Sequence, residues 1–332
     1  MGKHARTLEK LRVIFMGTPD FALPSFQAAC ASEEVIGVVT QPDRPKGRGR
    51  TLTPPPIKVA ALEKAIAVYQ PERLRKDSLF AKTLSKLSPD LIIVVAFGQI
   101  LPEAILQIPR YPCINVHSSL LPKYRGAAPI QWALVQGDVE SGVTTMQMDA
   151  GMDTGPILLQ RSLAIHQNET AEMLSPRLAE LGAELLLETV SALKEGRLEA
   201  VAQDDTRATM APLLKKKDGL IRWEESAQAI YNRWRGLRPW PGTMTFFGQI
   251  CWKIPALQVG ESEGEWGVPG EVLNLSEKGL EVAAGKGYII IKTLQPEGKR
   301  RMTPHAYAVG HHIEKGALLF SDKNKGIKGL SQ

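Results

Sequence analysis

Cysteine is scarce in this 332-residue sequence. Cys30, Cys113 and Cys251 lie far apart and fit neither a disulfide framework nor a zinc ligand set. That usage points to a reducing compartment, with cytoplasm the expected one. Long apolar runs are missing too. The longest, Leu91 to Leu101, is interrupted by Gly98 and Gln99 and stops at Pro102, too short to cross a bilayer. The first ten residues, MGKHARTLEK, lack the apolar stretch of a secretory signal, and Arg6 stands where a myristoylation signal needs Ser or Thr. No internal repeat is visible. What is present is the composition of a globular protein, 43% hydrophobic and 23% charged. The length suits two domains of about 200 and about 100 residues, and nothing in it demands more than a monomer.

Charge is unevenly placed. From Thr206 onward, 19 Lys and Arg oppose 12 Asp and Glu, a net of +7, whereas the first 205 residues carry −1. A basic second half suggests a polyanionic partner, with a generic solubilising surface as the alternative.

The first half alternates strands and helices. Leu11–Met16, Val35–Val39, Leu91–Ala96 and Cys113–His117 read as buried strands, and Gly142–Met148 with Ile157–Ile165 as a strand pair about a glycine-rich turn. Helices are expected over Phe21–Ala31, Ile57–Ala67, Ser78–Leu87, Pro129–Gln136 and Thr170–Lys194. This alternation predicts an α/β domain with a doubly wound, mostly parallel, Rossmann-like sheet. After a polar stretch at 195–215, a helix (Ser226–Trp234) precedes short strands at Thr243–Phe247, Ile250–Leu257, Gly270–Leu275, Leu280–Ala284 and Tyr288–Leu294. Their spacing suits a small antiparallel, OB-like β-barrel of the kind that holds nucleic acid. The resulting division is a tail (1–10), a first domain (11–205), a linker (206–215), a barrel (216–320) and a frayed tail (321–332).

Glycine is short at one telling place. The first strand runs into MGTPDFALP, with one glycine where a dinucleotide fingerprint needs three. Pro19 also removes a donor that a pyrophosphate would use. A nicotinamide oxidoreductase is disfavoured.

Asn115 and His117 sit two apart at the end of a predicted strand, so their side chains share a face about 6.5 Å apart. Carboxyl ends of parallel strands are where open sheets place ligands. An amide can donate to an oxyanion and an imidazole can relay a proton, which suits acyl transfer. Alternatively, Asn115 caps a turn and His117 is a half-buried structural histidine. DAGMDTGP (Asp149–Pro156) adds two acids and two glycines. Asp153 could orient His117 or satisfy its own backbone as an Asx turn. The spacing matches no zinc or EF-hand signature, so no metal is expected.

The segments GTPDFALP, QPDRPKGRGR, AFGQILPEAIL, INVHSSLLPKYRGAAPIQWAL and GVTTMQMDAGMDTGPIL resemble, in order and over nearly the whole chain, those of the methionyl-tRNA formyltransferases, a branch of the folate-dependent formyltransferases. The resemblance implies a formyltransferase-type fold and transfer of a formyl group from 10-formyltetrahydrofolate to the α-amine of methionyl-initiator tRNA. It places the catalytic trio on Asn115, His117 and Asp153, and folate contact on Ser119, Leu120, Leu121 and Pro122. Ser118 stands where relatives commonly carry Gly or Ala. Asn115 and protonated His117 would hold the oxyanion, and Asp153 would fix His117 and help move the proton. No metal is implied.

The acceptor is read from three features. Purine-pathway relatives end near the first domain, and this chain goes on for over a hundred residues. Amino-sugar formyltransferases, the alternative, resemble it less at QPDRPKGRGRTLTPPP. There Arg44, Lys46, Arg48 and Arg50 stand on a Gly/Pro-rich loop, suited to the phosphates of an RNA acceptor stem or merely solvated. The second half adds Lys215, Lys216, Lys217, Arg233, Arg235, Arg238, Lys299, Arg300 and Arg301 as cations for tRNA phosphates. Its Trp223, Tyr231, Trp234 and Trp240 are expected mostly to pack. A non-enzymatic RNA-binding protein on the same scaffold is disfavoured by the intact trio.

Overall fold

A computed structural model describes residues 9–46, 49 and 51–322. The outer parts of both expected tails, and Arg48 and Arg50, lie outside them. The chain divides into two compact units. The first runs up to Pro129 and adds Glu140–Ile165 and Leu174–Pro212; the second takes Ile130–Val139, His166–Met173 and everything from Leu213. Residues 206–212 of the expected linker therefore go with the first unit, while two earlier segments go with the second.

In chain order the first elements are β1 (Arg12–Gly17), α1 (Leu23–Ser32), β2 (Glu34–Val39), β3 (Arg44–Lys46), β4 (Thr51–Thr53), α2 (Pro56–Glu63) and β5 (Val68–Tyr69). Next come α3 (Ser78–Lys86), β6 (Leu91–Val95), α4 (Glu103–Leu106), β7 (Ile114–His117), α5 (Pro129–Gln136), β8 (Glu140–Gln147), β9 (Ile157–Ala164) and α6 (Ala171–Lys194). One seven-stranded sheet has the order β5-β2-β1-β6-β7-β8-β9. The strands from β5 to β7 are parallel, and β8 and β9 are antiparallel additions. This is the doubly wound α/β sheet. Its parallel strands are apolar at successive positions because both faces are covered. Ile14, Met16, Ile92 and Val94 join one cluster with Phe80 and Leu84 of α3, while Phe15 meets Phe26 of α1 edge-on, centroids 5.3 Å apart. On β7, Val116 faces α6, where a Cβ on Gly182 would come within 3.0 Å of it.

The expected loop over 41–56 contains a two-stranded ribbon, with Arg44 opposite Thr53 and Lys46 opposite Thr51. Its foot is pinned by Asp43, whose carboxylate accepts from Lys58 Nζ at 2.8 Å and Gln70 Nε2 at 2.8 Å. The Gln70 amide, then Lys58, hold that carboxyl below its ordinary pKa. The β-branched threonines and this anchor outweigh the Gly/Pro composition. Likewise, the helix expected to reach Ala67 ends at Glu63, and Ala65 turns with φ 55° so that β5 can pair with β2.

The second unit contains α7 (Ala227–Gly236), β10 (Met244–Phe247), β11 (Ile250–Glu261), β12 (Val272–Ser276), β13 (Gly279–Ala283), β14 (Tyr288–Pro296), α8 (Pro304–Ala308) and β15 (Leu319–Phe320). The sheet order is β12-β13-β14-β11-β10-β15, antiparallel throughout. Its ends meet: Val272 N donates to Ala317 O at 2.8 Å and Leu319 N to Gly270 O at 2.8 Å, so the strands curl into a barrel that leaves little open edge. Register shifts around Ala256 in β11 supply the bending. The interior holds Trp223, Trp252, Ile254, Ile289, Ile291 and Tyr307 with Ile230 and Trp234 of α7. Trp223 donates its indole N–H to Thr245 Oγ1 at 3.0 Å. Among the described residues no helix is long and apolar enough to cross a membrane.

Candidate active site

The strand order changes direction between β1 and β6, and a cleft opens there beyond the carboxyl ends of the strands, as the topology of such sheets dictates. It encloses about 470 Å³ and is walled by Pro19 and Phe21 after β1, by Phe97 to Leu101 after β6, and by Met146 and Met148. Register places Met16, Val94, Asn115 and Met146 in one row across four strands. Asn115 is thus the polar member of an apolar row, with His117 two residues further on the same side. Both are buried, at 8% and 6% exposure, so each polar atom requires a partner.

Those partners come from two loops. Asp153 brings its carboxylate to both side chains, Oδ1 lying 3.5 Å from Asn115 Nδ2 and Oδ2 3.7 Å from His117 Nδ1. On the other side, His117 Nε2 lies 3.0 Å from Tyr124 O. A carbonyl only accepts, so Nε2 carries a proton, and Nδ1 is the nitrogen that faces Asp153. Asp153 Oδ2 also accepts from Gly126 N at 2.8 Å. Gly126 is needed for two reasons: its φ is 123°, and a Cβ there would stand 2.7 Å from Ala211 O. Asp153 itself has φ 55°, a costly conformation for a non-glycine residue. Its carbonyl is held by Gln203 Nε2 at 2.9 Å. The other acid of the turn, Asp149, accepts from Gly151 N and Thr154 Oγ1 and so closes the turn locally. Among the described residues no group of His, Cys, Asp and Glu converges as a metal ligand set.

The structure therefore brings Asn115, His117 and Asp153 together from positions up to 38 residues apart. Ser119, Leu120, Leu121 and Pro122 are placed differently. None is among the residues that wall the cleft. They form a turn behind it, stitched inward through Thr144 Oγ1 to Ser119 O at 2.7 Å, Leu121 N to Thr144 Oγ1 at 3.1 Å, and Gln160 Nε2 to Leu121 O at 2.8 Å. Sequence reading gives no role to the walls Phe97–Leu101 or to Gln203. AFGQIL carries likeness to the family without a function attached to it, and a lone Gln in a polar stretch carries no pattern.

Of the expected RNA-facing cations, Arg44 is exposed on β3 and Lys46 ends that strand; Arg48 and Arg50 lie outside the described residues. In the second unit, Lys215, Lys216, Lys217, Lys299, Arg300 and Arg301 are exposed. Arg233 and Arg235 are corrections. Both are buried, Arg233 against Glu225 at 2.9 Å and Arg235 against Asn232 Oδ1 at 3.0 Å, because α7 turns that face into the unit's interior. Arg238 lies over the Trp234 ring at 5.0 Å. Trp223 and Trp234 are packed, and only Trp240 among the four aromatics is mostly exposed, at 54%.

Known proteins share this design. Residues 10–190 match the formyl transferase family and residues 213–312 the formyl transferase C-terminal domain. The methionyl-tRNA formyltransferase of Citrifermentans bemidjiense is 48% identical over 93% of this chain and 96% of its own. That of Desulfotalea psychrophila is 50% identical over 94% and 96%. Among solved structures, the sugar 3N-formyl transferase WlaRD, crystallised with dTDP and 5-N-formyl-THF, superposes with a TM-score of 0.64 at 19% identity, over 88% of this chain and all of that one. HypX from Aquifex aeolicus in complex with tetrahydrofolic acid gives 0.59 at 16%, over 90% and 47%. The structural likenesses concern the fold, whereas the sequence identities extend over almost the full chain: it belongs to the methionyl-tRNA formyltransferase family of the formyl transferases.

Proposed function

We propose that this chain is an enzyme that transfers the formyl group of 10-formyltetrahydrofolate to the α-amine of methionyl-initiator tRNA. The observation that carries the reading is the meeting of amide, imidazole and carboxylate at the switch-point cleft in a chain half identical to methionyl-tRNA formyltransferases. The cleft suits the folate as a substrate. Phe97, Ile100, Leu101 and Met146 offer apolar walls for a flat ring. Ser119, Leu120, Leu121 and Pro122, the segment that the resemblance assigns to folate, would act by fixing the shape of the loop that carries Ser118 and Gly126 to the cleft.

In the reaction the amine nitrogen bonds to the formyl carbon, the bond from that carbon to folate N10 breaks, and the proton lost by the amine goes to N10. Negative charge develops on the formyl oxygen between these events. Asn115 Nδ2 has a second hydrogen to give that oxygen, beyond the one aimed at Asp153. His117, protonated at Nδ1 with Nε2–H fixed on the Tyr124 carbonyl, gives another. Asp153, 3.7 Å from His117 Nδ1, would steady that ring and can take the proton from the attacking amine before it moves on to N10. Lining the reacting carbon with buried, prepositioned donors is what makes them effective, since they need not reorganise during the step.

Arg44, Lys46, Arg48 and Arg50 are proposed to meet acceptor-stem phosphates, and the exposed cations of the second unit the rest of the tRNA. An amino-sugar acceptor is the other chemistry that this fold serves, but the neighbours named for it are at most 20% identical. Incubation of the enzyme and formyl-folate with charged initiator tRNA, and separately with nucleotide-linked amino sugars, decides between them. Formylation of the sugar alone would overturn the proposal. The expected compartment is the cytoplasm, and the expected active species is a monomer.

A further inference from the structure

Asp153 is not held by the sheet. Its turn lies between β8 and β9; its contact with Asn115, at 3.5 Å, is at the outer limit of hydrogen bonding, and its carboxylate faces His117 at 3.7 Å as an ion-pair partner beyond that limit. A shift of a few tenths of an ångström would sever the first and weaken the second. Beyond the Gly126 N–H on its carboxylate and the local closure by Asp149, the backbone of the turn is tied by a side chain distant in sequence. Gln203 Nε2 donates to Asp153 O at 2.9 Å and to Gly155 O at 2.7 Å. Gln203 Oε1 in turn accepts from Arg125 Nε at 3.0 Å and Nη2 at 2.8 Å. All four bonds fix which end of the amide is which. A flipped amide would turn its NH₂ toward a guanidinium and its oxygen toward two carbonyls.

Arg125 is itself held. It is buried to 6% exposure, Nη2 reaches Asp205 Oδ1 at 2.7 Å, and its backbone pairs with Thr209 and Ala211. Its neighbours on the chain are Tyr124, whose carbonyl accepts from His117 Nε2, and Gly126, whose N–H donates to Asp153. One amide therefore ties the loop that orients the imidazole to the turn that supplies the carboxylate. We propose that Gln203 is a positioning residue for Asp153, with Arg125 setting the direction of its amide. This rests on the catalytic reading of Asn115, His117 and Asp153 given above.

Gln203→Glu is the sharpest test. It keeps size and keeps an acceptor for Arg125, strengthened by charge, but removes the donor and sets an anionic oxygen against two carbonyls. A merely structural Gln203 would show the change in melting temperature and leave the kcat of the folded enzyme unchanged. The expected result is a kcat for methionyl-tRNA formylation about 10- to 100-fold lower, with KM for both substrates and the melting temperature little changed. Gln203→Met, uncharged and of similar length, is expected to behave alike. In the Asp153→Asn background Gln203→Glu should add little further loss, because both act on one carboxylate. Full kcat in Gln203→Glu or Gln203→Met, an equal further loss in the Asp153→Asn background, or failure of both single variants to fold would overturn the proposal. Near-normal turnover in Asp153→Ala would instead remove the catalytic reading beneath it, so the two failures are told apart.

Discussion

The two units treat their polar side chains in opposite ways. In the first, Asn115, His117 and Arg125 are buried and each faces a side chain from a distant segment. In the second, the buried polar groups serve the fold: Arg233 pairs with Glu225, Arg235 with Asn232, and Trp223 with Thr245. Among its exposed charges are runs of lysine and arginine at 215–217 and 299–301, beside exposed acids such as Glu261, Glu263 and Glu265. Buried polar groups converge in one unit, whereas runs of exposed cations repeat in the other, and the proposed chemistry and the proposed tRNA surface follow that division. Cation counts taken from sequence blur this difference, because they add Arg233 and Arg235 to a surface from which both are withdrawn.

The comparison is broken most sharply at the trio. Replacing Asn115, His117 or Asp153 by Ala is expected to lower turnover by about 10²- to 10⁴-fold, while tRNA affinity, read by filter binding, persists. Near-normal turnover in all three variants would end the catalytic assignment. The second unit's core should respond in stability rather than chemistry. Trp252→Ala, at a fully buried barrel position, is expected to cost about 3–5 kcal/mol in denaturant unfolding. A loss well below 1 kcal/mol would mean that the barrel interior is not packed as described.

Salt dependence separates the two kinds of cation. Changing Lys299, Arg300 and Arg301 together to Ala should flatten the log–log salt dependence of tRNA binding, by roughly 0.7–0.9 for each phosphate no longer neutralised. Arg233→Met should leave that slope alone and lower stability, since Glu225 loses its buried partner. Equal slopes in the triple variant and the parent would remove those three residues from the tRNA surface. The smallest expected effect concerns Cys113. Burial pushes its thiol up to about 12, so at pH 8 it should resist iodoacetamide in the folded protein and react only on unfolding. Rapid modification under native conditions would contradict its place in the sheet's core.

Most of the architecture was legible because apolar periodicity is local. Leu91–Ala96 and Cys113–His117 declare strands buried on both faces, and the structure ends them within a residue of those bounds. What periodicity missed was short or pinned from elsewhere: β5, two residues long, the ribbon β3–β4, which is held by Asp43, and β15, which closes the barrel. The site was legible in its residue types. Asn115 and His117 share a strand face by the pleat alone, and Asp153 stands in a glycine-rich turn that must sit on a sheet edge. Gln203 could not be found in this way. Its importance lies wholly in which atoms surround it, and nothing in VAQDDTRA points toward residue 153.

The order of residues determined which side chains point the same way along β7, that a glycine-poor first turn would not hold a pyrophosphate, and that two domains differ in charge. These follow from bond geometry and composition within a few residues of each other. Only the tertiary structure decided that a carboxylate 38 residues away reaches the amide, that the imidazole's Nε2 is spent on a carbonyl, and that two arginines of α7 face inward. Such outcomes depend on long-range packing, where distances of a few ångströms between segments are set by the whole chain and by no segment alone.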